Sequence, residues 1–362
     1  MEEGINMWLI GGGLAIGALL GVIVQRSKFC MAAAVSNLVL MRDYRQLHAY
    51  LASIAVAISG AQLLDLTGLI ELNASGYRSA QINWLGAMIG GLVFGFGTML
   101  AGGCVGRTLV RVGEGNLGAL IALGAIAFAA AMTLYGFVEP LRIWLSTRNS
   151  FSVESGDASF SSVLQLPAAL TTTMLVTACL LLILFVGKRS RSTGLLLAGA
   201  GIGLLVVAGW AITGYFSQDL FSLHRPSSLS YAGPLANTSV VITTGSLLGM
   251  STQFGIALVV GTIAGAILIS VITHSFKWTL PDKKHVAHLL VGGSFMGFGA
   301  ILAGGCNIGQ GLSGLSTGSI QSLIAVLAIA LGMRLGVAWL MKTELSDKPL
   351  PVFTFFQRVL RI

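Results

Sequence analysis

Residues 94–104 read FGFGTMLAGGC, and residues 297–306 read GFGAILAGGC. When residues 90–104 are aligned with 292–306 without a gap, ten of the fifteen positions are identical. A glycine inside a helix costs about 1 kcal/mol relative to alanine, and consecutive glycines can end a helix or allow close backbone approach. The repeated phrase therefore predicts two related helices, each of which is broken just before a cysteine.

The composition places this phrase in a membrane protein. The chain has 362 residues, of which 55% are hydrophobic and only 9% are charged, whereas soluble proteins are about one quarter charged. Long apolar runs with few charges are typical of membrane helices, and 48 glycines suit helices that pack through small residues. The sequence therefore predicts an all-α polytopic membrane protein without a separate soluble domain. The chain opens Met1-Glu2-Glu3, which is unlike a cleavable signal, so the first span is expected to be retained.

Apolar runs of sufficient length predict nine transmembrane helices, and four shorter apolar segments are predicted to be re-entrant. Irregular chain is tolerated at membrane depth only where protein or water surrounds it, which favours re-entrant segments within a bundle. The predicted spans are 8–25, 46–66, 84–102, 117–138, 166–186, 194–216, 253–273, 287–304 and 319–341. The predicted short segments are 28–41, 104–115, 238–250 and 306–317.

Basic residues flank the spans in a pattern that predicts their orientation. Lys and Arg accumulate in cytoplasmic loops, so residues 188–191 (Lys-Arg-Ser-Arg) are placed in the cytoplasm. Every other basic cluster then falls on the same side, with the N-terminus outside and the C-terminus in the cytoplasm. This distribution explains the net charge of +8 without nucleic-acid binding. Trp210 and Tyr215 are interpreted as aromatic residues at the outer membrane interface.

The order of segments repeats as well as the phrase. Each half reads span, short segment, span, span, short segment, span, which predicts a first repeat over 1–145 and a second over 193–341. Residues 146–192 form a linker span with its loops, and 342–362 a cytoplasmic tail. Because an odd number of crossings separates the halves, the repeats are inverted in the membrane. Inverted repeats are typical of transporters, whose sites lie near the midplane between them.

The chain has four cysteines, and three of them are candidates for a transport pathway. Cys104 and Cys306 close the repeated phrases, and each is expected near the start of a short helix, where exposed amides favour an anion. Cys30 follows Arg26 and Lys28 on the first short segment; nearby cations increase the reactivity of a thiol. Cys179 lies in the unrepeated span and is interpreted as structural. The spacing predicts neither a disulfide scaffold nor a metal site.

Five residues beside these cysteines are further candidates for binding the substrate, namely Gly103, Gly305, Asn307, Gln310 and Arg107. The glycines can bring backbone amides close to a ligand. Asn307 and Gln310 can either donate to anion oxygens or cap a short helix. Arg107 can either attract an anion or anchor its loop, as can its neighbour Arg111.

Three motifs together resemble the signatures of the YeeE/YedE family of bacterial sulphur-compound transporters. They are QRSKFCM around Cys30, GFGTMLAGGCVGRTLVRVGEGN around Cys104 and GFGAILAGGCNIGQGLSGL around Cys306. The resemblance covers the whole chain in segment order. It implies an inverted-repeat bundle whose re-entrant helices meet in an hourglass. It also implies functional roles for Cys30, Cys104 and Cys306, with Lys28 standing where the family often has arginine.

The resemblance implies an inner-membrane importer of thiosulfate that passes the anion between thiols by weak S–H···S hydrogen bonds. It also implies a cytoplasmic sulphur-carrier or rhodanese-like partner, and we expect a monomer. Two alternatives stay open: a transporter of another sulphur or selenium oxyanion, such as sulfite or selenite, or a membrane sulphur sensor. No paired carboxylates, Ser–His arrangement or nucleotide-binding motif is predicted in the membrane interior, so neither an enzyme nor a cofactor is expected.

Overall fold

The computed structural model describes residues 7–148, 150–152, 157–163, 165–186, 192–217, 225–245 and 250–344. The basic cluster 188–191 and the tail beyond residue 344, which enter the orientation argument, lie outside the described residues, as do Glu154 and Asp219. Fourteen α-helices are described: α1 Met7–Ser27, α2 Met31–Met41, α3 Arg45–Leu66, α4 Trp84–Leu100, α5 Val105–Gly113, α6 Leu117–Tyr135, α7 Glu139–Arg148, α8 Phe160–Val163, α9 Ala168–Phe185, α10 Thr193–Ser217, α11 Ala232–Thr244, α12 Met250–Ile272, α13 Lys283–Leu302 and α14 Ile320–Glu344.

The prediction of nine membrane-spanning helices is confirmed. Within the described part of the chain, nine helices are long and apolar enough to cross a membrane: α1, α3, α4, α6, α9, α10, α12, α13 and α14. Their bounds differ from the predicted spans by only a few residues, because long apolar runs determine helix length in lipid. The chain is a multi-pass membrane protein.

The shorter elements differ more from expectation. Helix α11 begins at Ala232 rather than at residue 238, because Pro234 occupies its first turn, where proline is tolerated. Helix α7 was not predicted, and neither was the antiparallel pair of β1 (Gln81–Asn83) and β2 (Ser150–Ser152). The segment after Cys306 contains a π-helix at Gly309–Gly314, a form that is common at functional sites.

The helices pack in pairs that correspond between the two halves of the chain. Helix α1 packs along α12, and α10 packs along α3; likewise α4 packs along α14, and α13 along α6. The repeat predicts that α1 corresponds to α10, α3 to α12, α4 to α13 and α6 to α14. Replacing α1 and α12 by their counterparts gives the pair α10 and α3, and replacing α4 and α14 by theirs gives the pair α13 and α6. Helix α9 contacts the bundle through α3 and has no such counterpart.

The repeated glycines lie where α4 crosses α13. A Cβ atom placed on Gly90 would lie 2.5 Å from the Ala303 nitrogen, and one on Gly292 would lie 2.6 Å from the Ala101 nitrogen. Real Cβ atoms do not approach backbone atoms so closely, so only glycine allows this crossing. The two contacts join equivalent positions of the two phrases.

Each phrase ends its helix by the same turn. The Gly103 N–H donates to Thr98 O at 3.0 Å, and the Gly305 N–H donates to Ala300 O at 2.7 Å. The preceding residues, Gly102 and Gly304, have left-handed φ values of 73° and 77°. This is the Schellman turn that glycine favours at a helix C-terminus. The Gly-Gly pair therefore stops α4 and α13 and redirects the chain at the cysteine.

Candidate functional site

Each candidate cysteine precedes a short helical segment and accepts its first hydrogen bond. The carbonyls of Cys30, Cys104 and Cys306 accept hydrogen bonds from Ala34 N at 3.0 Å, Thr108 N at 2.8 Å and Gln310 N at 2.7 Å. Cys30 and Cys104 are the N-cap residues of α2 and α5, and neither thiol caps its helix. The three thiols therefore lie beside amide-rich helix starts, where partial positive charge accumulates.

Cys30 and Cys104 form a buried thiol pair. Their Sγ atoms lie 3.5 Å apart, and the residues are only 6% and 3% exposed. Both are free thiols. The two cysteines are 74 positions apart in the sequence, and the fold brings the starts of α2 and α5 together, a direct contact that the sequence alone did not predict.

Cys306 is fully buried and has a different environment. Its Sγ accepts a hydrogen bond from the Gly309 N–H at 3.5 Å, so this thiol does cap the segment that follows it. A thiol is a weak hydrogen-bond donor and a weak acceptor, so this contact is easily exchanged for another.

A small cavity surrounds the thiol pair, and we call it the thiol cavity. Its volume is about 10 Å³, which is enough for about one water molecule. Its walls come from α1, α2, α5 and α12 and from the segment after Cys306. The lining residues are Leu20, Val24, Phe29, Cys30, Met31, Cys104, Gly106, Arg107, Tyr231, Thr262, Asn307 and Ile308.

Two polar groups on residues lining the thiol cavity have no hydrogen-bond partner among the described residues. They are Nη1 of Arg107 and Oδ1 of Asn307, and both atoms are buried. Leaving a buried polar group unpaired costs about 1–3 kcal/mol, so such groups indicate a site that another molecule completes. Rotation of the Asn307 amide would present its N–H groups instead of its oxygen. Both residues were predicted as substrate-binding candidates.

A larger cavity also borders the 304–310 segment. We call it the vestibule; its volume is about 310 Å³, and it is lined by Gly76, Tyr77, Arg225, Pro226, Ser227, Gly304, Gln310, Ser319 and Gln321. Burial raises the pKa of Tyr77 well above its ordinary value, so its hydroxyl stays protonated and can donate. Gly304 and Gln310 line the vestibule, and Asn307 and Ile308 line the thiol cavity, so the segment that carries Cys306 borders both cavities.

The remaining candidates have structural partners. Gln310 donates from Nε2 to Ala303 O at 3.0 Å and accepts from Ser322 Oγ at 2.6 Å, so it holds the turn before Cys306. Gly103 packs near Arg107, and Gly305 packs near Gln310. Arg111 donates to Gly102 O at 3.2 Å and thus caps the end of α4.

Arg78, a buried residue that the sequence did not single out, holds this region together. The Arg78 Nε donates to Thr317 O at 2.7 Å, and its Nη1 donates to Asn73 Oδ1 at the same distance. Burial lowers the pKa of Arg78, and Asp157 and Asp65 at 3.9 Å oppose that shift. Arg78 thereby fixes the end of the segment after Cys306 to the loop after α3.

The interpretation of Trp210 as an interface residue is wrong. Trp210 is fully buried, and its indole N–H donates to Ser316 Oγ at 2.9 Å. Membrane-facing and protein-facing positions are equally apolar in such a helix, so the sequence does not distinguish them. Tyr50 was also missed; its hydroxyl donates to Asn307 O at 3.0 Å.

Known proteins match this chain along most of its length. A family profile described as "Sulphur transport" matches residues 26–335. The chain is 32% identical to the thiosulfate transporter TsuA of Spirochaeta thermophila over 348 residues, which cover 92% of this chain and 99% of that protein. It is 26% identical to the thiosulfate transporter TsuA of Escherichia coli over 343 residues, 90% of this chain and 93% of that protein. A probable transporter, YedE of Escherichia coli, is 28% identical over 115 residues, covering 31% of this chain and 26% of that protein.

Proposed function

The chain belongs to the YeeE/YedE family of sulphur-compound transporters, and from this premise we propose that it imports thiosulfate across the bacterial inner membrane. The two relatives that match over most of this chain are both named thiosulfate transporters, which supports thiosulfate as the anion. The observation that carries the mechanism is the thiol cavity, a buried space lined by two thiols and by two residues that each have an unpartnered polar atom.

We propose that the two halves are inverted repeats with re-entrant short segments, and that the N-terminus lies outside and the C-terminus in the cytoplasm. The exchange of helix pairs between halves supports the repeat, as do the matching Schellman turns at Gly102 and Gly304. On this orientation the vestibule opens to the outside, and the end of α5 faces the cytoplasm.

The proposed route leads from the vestibule past Cys306 to the thiol cavity. Thiosulfate is a soft anion, and weakly bonding thiols can pass it onward, whereas one tight site would hold it. The thiol cavity holds about 10 Å³, which is smaller than the anion, so the short segments must separate during transport. Cys30, Cys104, Cys306, Asn307 and Arg107 are the proposed contacts.

Gln310, Gly103 and Gly305 are proposed to shape the route rather than to carry charge. Gln310 lines the vestibule while its amide holds the turn before Cys306, so it presents this turn to an arriving anion. The family resemblance supports a cytoplasmic sulphur-carrier or rhodanese-like protein as the acceptor of the anion. The transporter itself is proposed to act as a monomer without enzymatic activity.

Growth on a single sulphur source tests the substrate. In a bacterial strain that lacks other thiosulfate uptake, the wild-type protein is expected to restore growth on thiosulfate. Growth that is restored only with sulfite, or selenite accumulation without thiosulfate uptake, would favour the alternative oxyanion transporter. A protein that is made and inserted but restores uptake of none of these anions would favour the sensor.

Arg225 is expected to attract the anion to the vestibule, which it lines from an exposed position. Substituting Arg225→Gln should raise the KM for thiosulfate about two- to fivefold in low salt, and the effect should shrink as salt screens the charge. Arg45→Gln is a matched control, because Arg45 is also exposed, pairs with Asp43 at 3.3 Å and lines neither cavity. Equal KM values for Arg225→Gln and the wild type at low salt would exclude this role.

A further inference from the structure

The Arg107 side chain faces two environments at once. Its Nη2 atom lies 3.2 Å from Oε1 and 3.3 Å from Oε2 of Glu114. Its Nη1 atom is buried and has no hydrogen-bond partner in the part of the chain that the structure describes, and Arg107 lines the thiol cavity. One half of the guanidinium is therefore satisfied by a carboxylate, and the other half is available.

Glu114 lies at the end of α5 and is tied to a neighbouring loop. It follows the last residue of α5, and its carbonyl accepts a hydrogen bond from Lys277 N at 3.1 Å, which ties it to the loop after α12. The Glu114 side chain is 23% exposed, and that of Arg107 is 16% exposed. Arg107 lines the thiol cavity, whereas Glu114 is not among its lining residues.

A cation beside the thiols creates a problem for transport. A divalent anion that pairs with a partly buried arginine dissociates slowly, because charge interactions strengthen where water is excluded. Conduction requires binding that is strong enough for arrival and weak enough for departure. A carboxylate of the same chain next to this arginine can weaken the binding of the anion, because it is always present at a high effective concentration and competes for the guanidinium.

We propose that Glu114 competes with the transported anion for Arg107. Between passages Glu114 holds the guanidinium; an anion in the thiol cavity takes over part of that pairing, and the returning carboxylate then promotes its release on the side where Glu114 lies. Glu114 is thus a positioning residue that acts through Arg107 and sets both affinity and release. This inference rests on the proposed function as a sulphur-anion importer.

The substitution Glu114→Gln removes the charge and keeps the size of the side chain. Since the competing carboxylate lowers the fraction of available Arg107, its loss should lower the KM for thiosulfate about three- to tenfold. The maximal uptake rate should fall as well, because release slows. The measurement is the concentration dependence of initial [³⁵S]thiosulfate uptake into proteoliposomes, with purified protein of equal amount.

Three further variants make the test specific. Glu139→Gln is the matched control, because Glu139 pairs with Arg142 at 3.2 Å away from both cavities, and its kinetics should equal those of the wild type. Glu114→Asp, whose carboxylate reaches less far, should change KM in the same direction but less. In an Arg107→Gln background, Glu114→Gln should have no further effect on KM.

A raised or unchanged KM in Glu114→Gln and Glu114→Asp would overturn the inference, because a carboxylate that merely holds Arg107 in place would weaken binding when lost. An additive effect in the Arg107→Gln background would also overturn it. If the wild-type protein fails to take up thiosulfate, the proposed function fails instead. If the wild type takes up thiosulfate normally but Glu114→Gln does not lower both the KM and the maximal uptake rate, the proposed function stands and the role of Glu114 is rejected.

Discussion

Alanine at Cys104 or Cys306 is expected to abolish thiosulfate-dependent growth, and Cys30→Ala should impair it severely. Each substitution removes the only polar atom of a buried side chain that lies at a helix start on the proposed route. Losing a buried hydrogen-bond partner costs about 1–3 kcal/mol, which corresponds to roughly 5- to 150-fold in rate. The measurement is initial thiosulfate uptake in cells, normalised to the amount of protein in the membrane.

Cys179→Ala provides the matched control. Cys179 lies on α9, is partly buried and lines neither the thiol cavity nor the vestibule. Its loss should leave uptake unchanged, while thermal unfolding in detergent shows whether any of the four variants is destabilised. Wild-type uptake by both Cys104→Ala and Cys306→Ala would contradict a role for these thiols in the pathway.

Leucine at Gly90 or Gly292 is expected to prevent folding. A Cβ at Gly90 would also lie 2.7 Å from Gly299 O, and one at Gly292 would lie 2.9 Å from Gly97 O, so α4 and α13 would have to separate. Overpacking by even a few atoms typically costs about 1–3 kcal/mol, and backbone cannot move aside as a side chain can. The measurement is the yield of monodisperse protein after extraction, which should fall about tenfold or more.

Gly124→Leu separates crowding from the loss of glycine itself. Gly124 lies on α6, is exposed at the bundle surface, and has open space where a Cβ would be placed. This variant should be extracted in wild-type amounts, because its side chain would extend into lipid. Normal yield and uptake by Gly90→Leu and Gly292→Leu would show that the two helices do not cross at these glycines.

The sequence predicted the parts of the fold that depend on composition and on glycine. Nine apolar runs became nine spanning helices in the described chain, and both Gly-Gly-Cys phrases ended their helices as expected. These features depend on local chain properties, namely the length of an apolar run and the ease with which glycine adopts a left-handed turn. The strands β1 and β2 have three residues each, which is too short for a periodic pattern to predict.

The site itself was predicted only in outline. The repeated phrases and the cluster around Cys30 indicated three thiols, but neither the contact between Cys30 and Cys104 nor the separate environment of Cys306 follows from sequence spacing. The sequence did not predict the hydrogen bonds of Tyr50 and Trp210, because a polar group at the end of an apolar side chain acquires a partner only through tertiary packing. Glu114 lies inside one of the quoted motifs, yet its pairing with Arg107 depends on side-chain conformation.

The most direct test of the thiol pathway uses purified protein in liposomes that contain no other transporter. Wild-type protein and the triple variant Cys30→Ala, Cys104→Ala, Cys306→Ala are reconstituted in equal amounts, and the accumulation of [³⁵S]thiosulfate is followed over time. We expect saturable uptake by the wild type and none above empty liposomes by the variant, provided that both elute as single species in detergent. Uptake by the folded triple variant at the wild-type rate would contradict transport through these thiols.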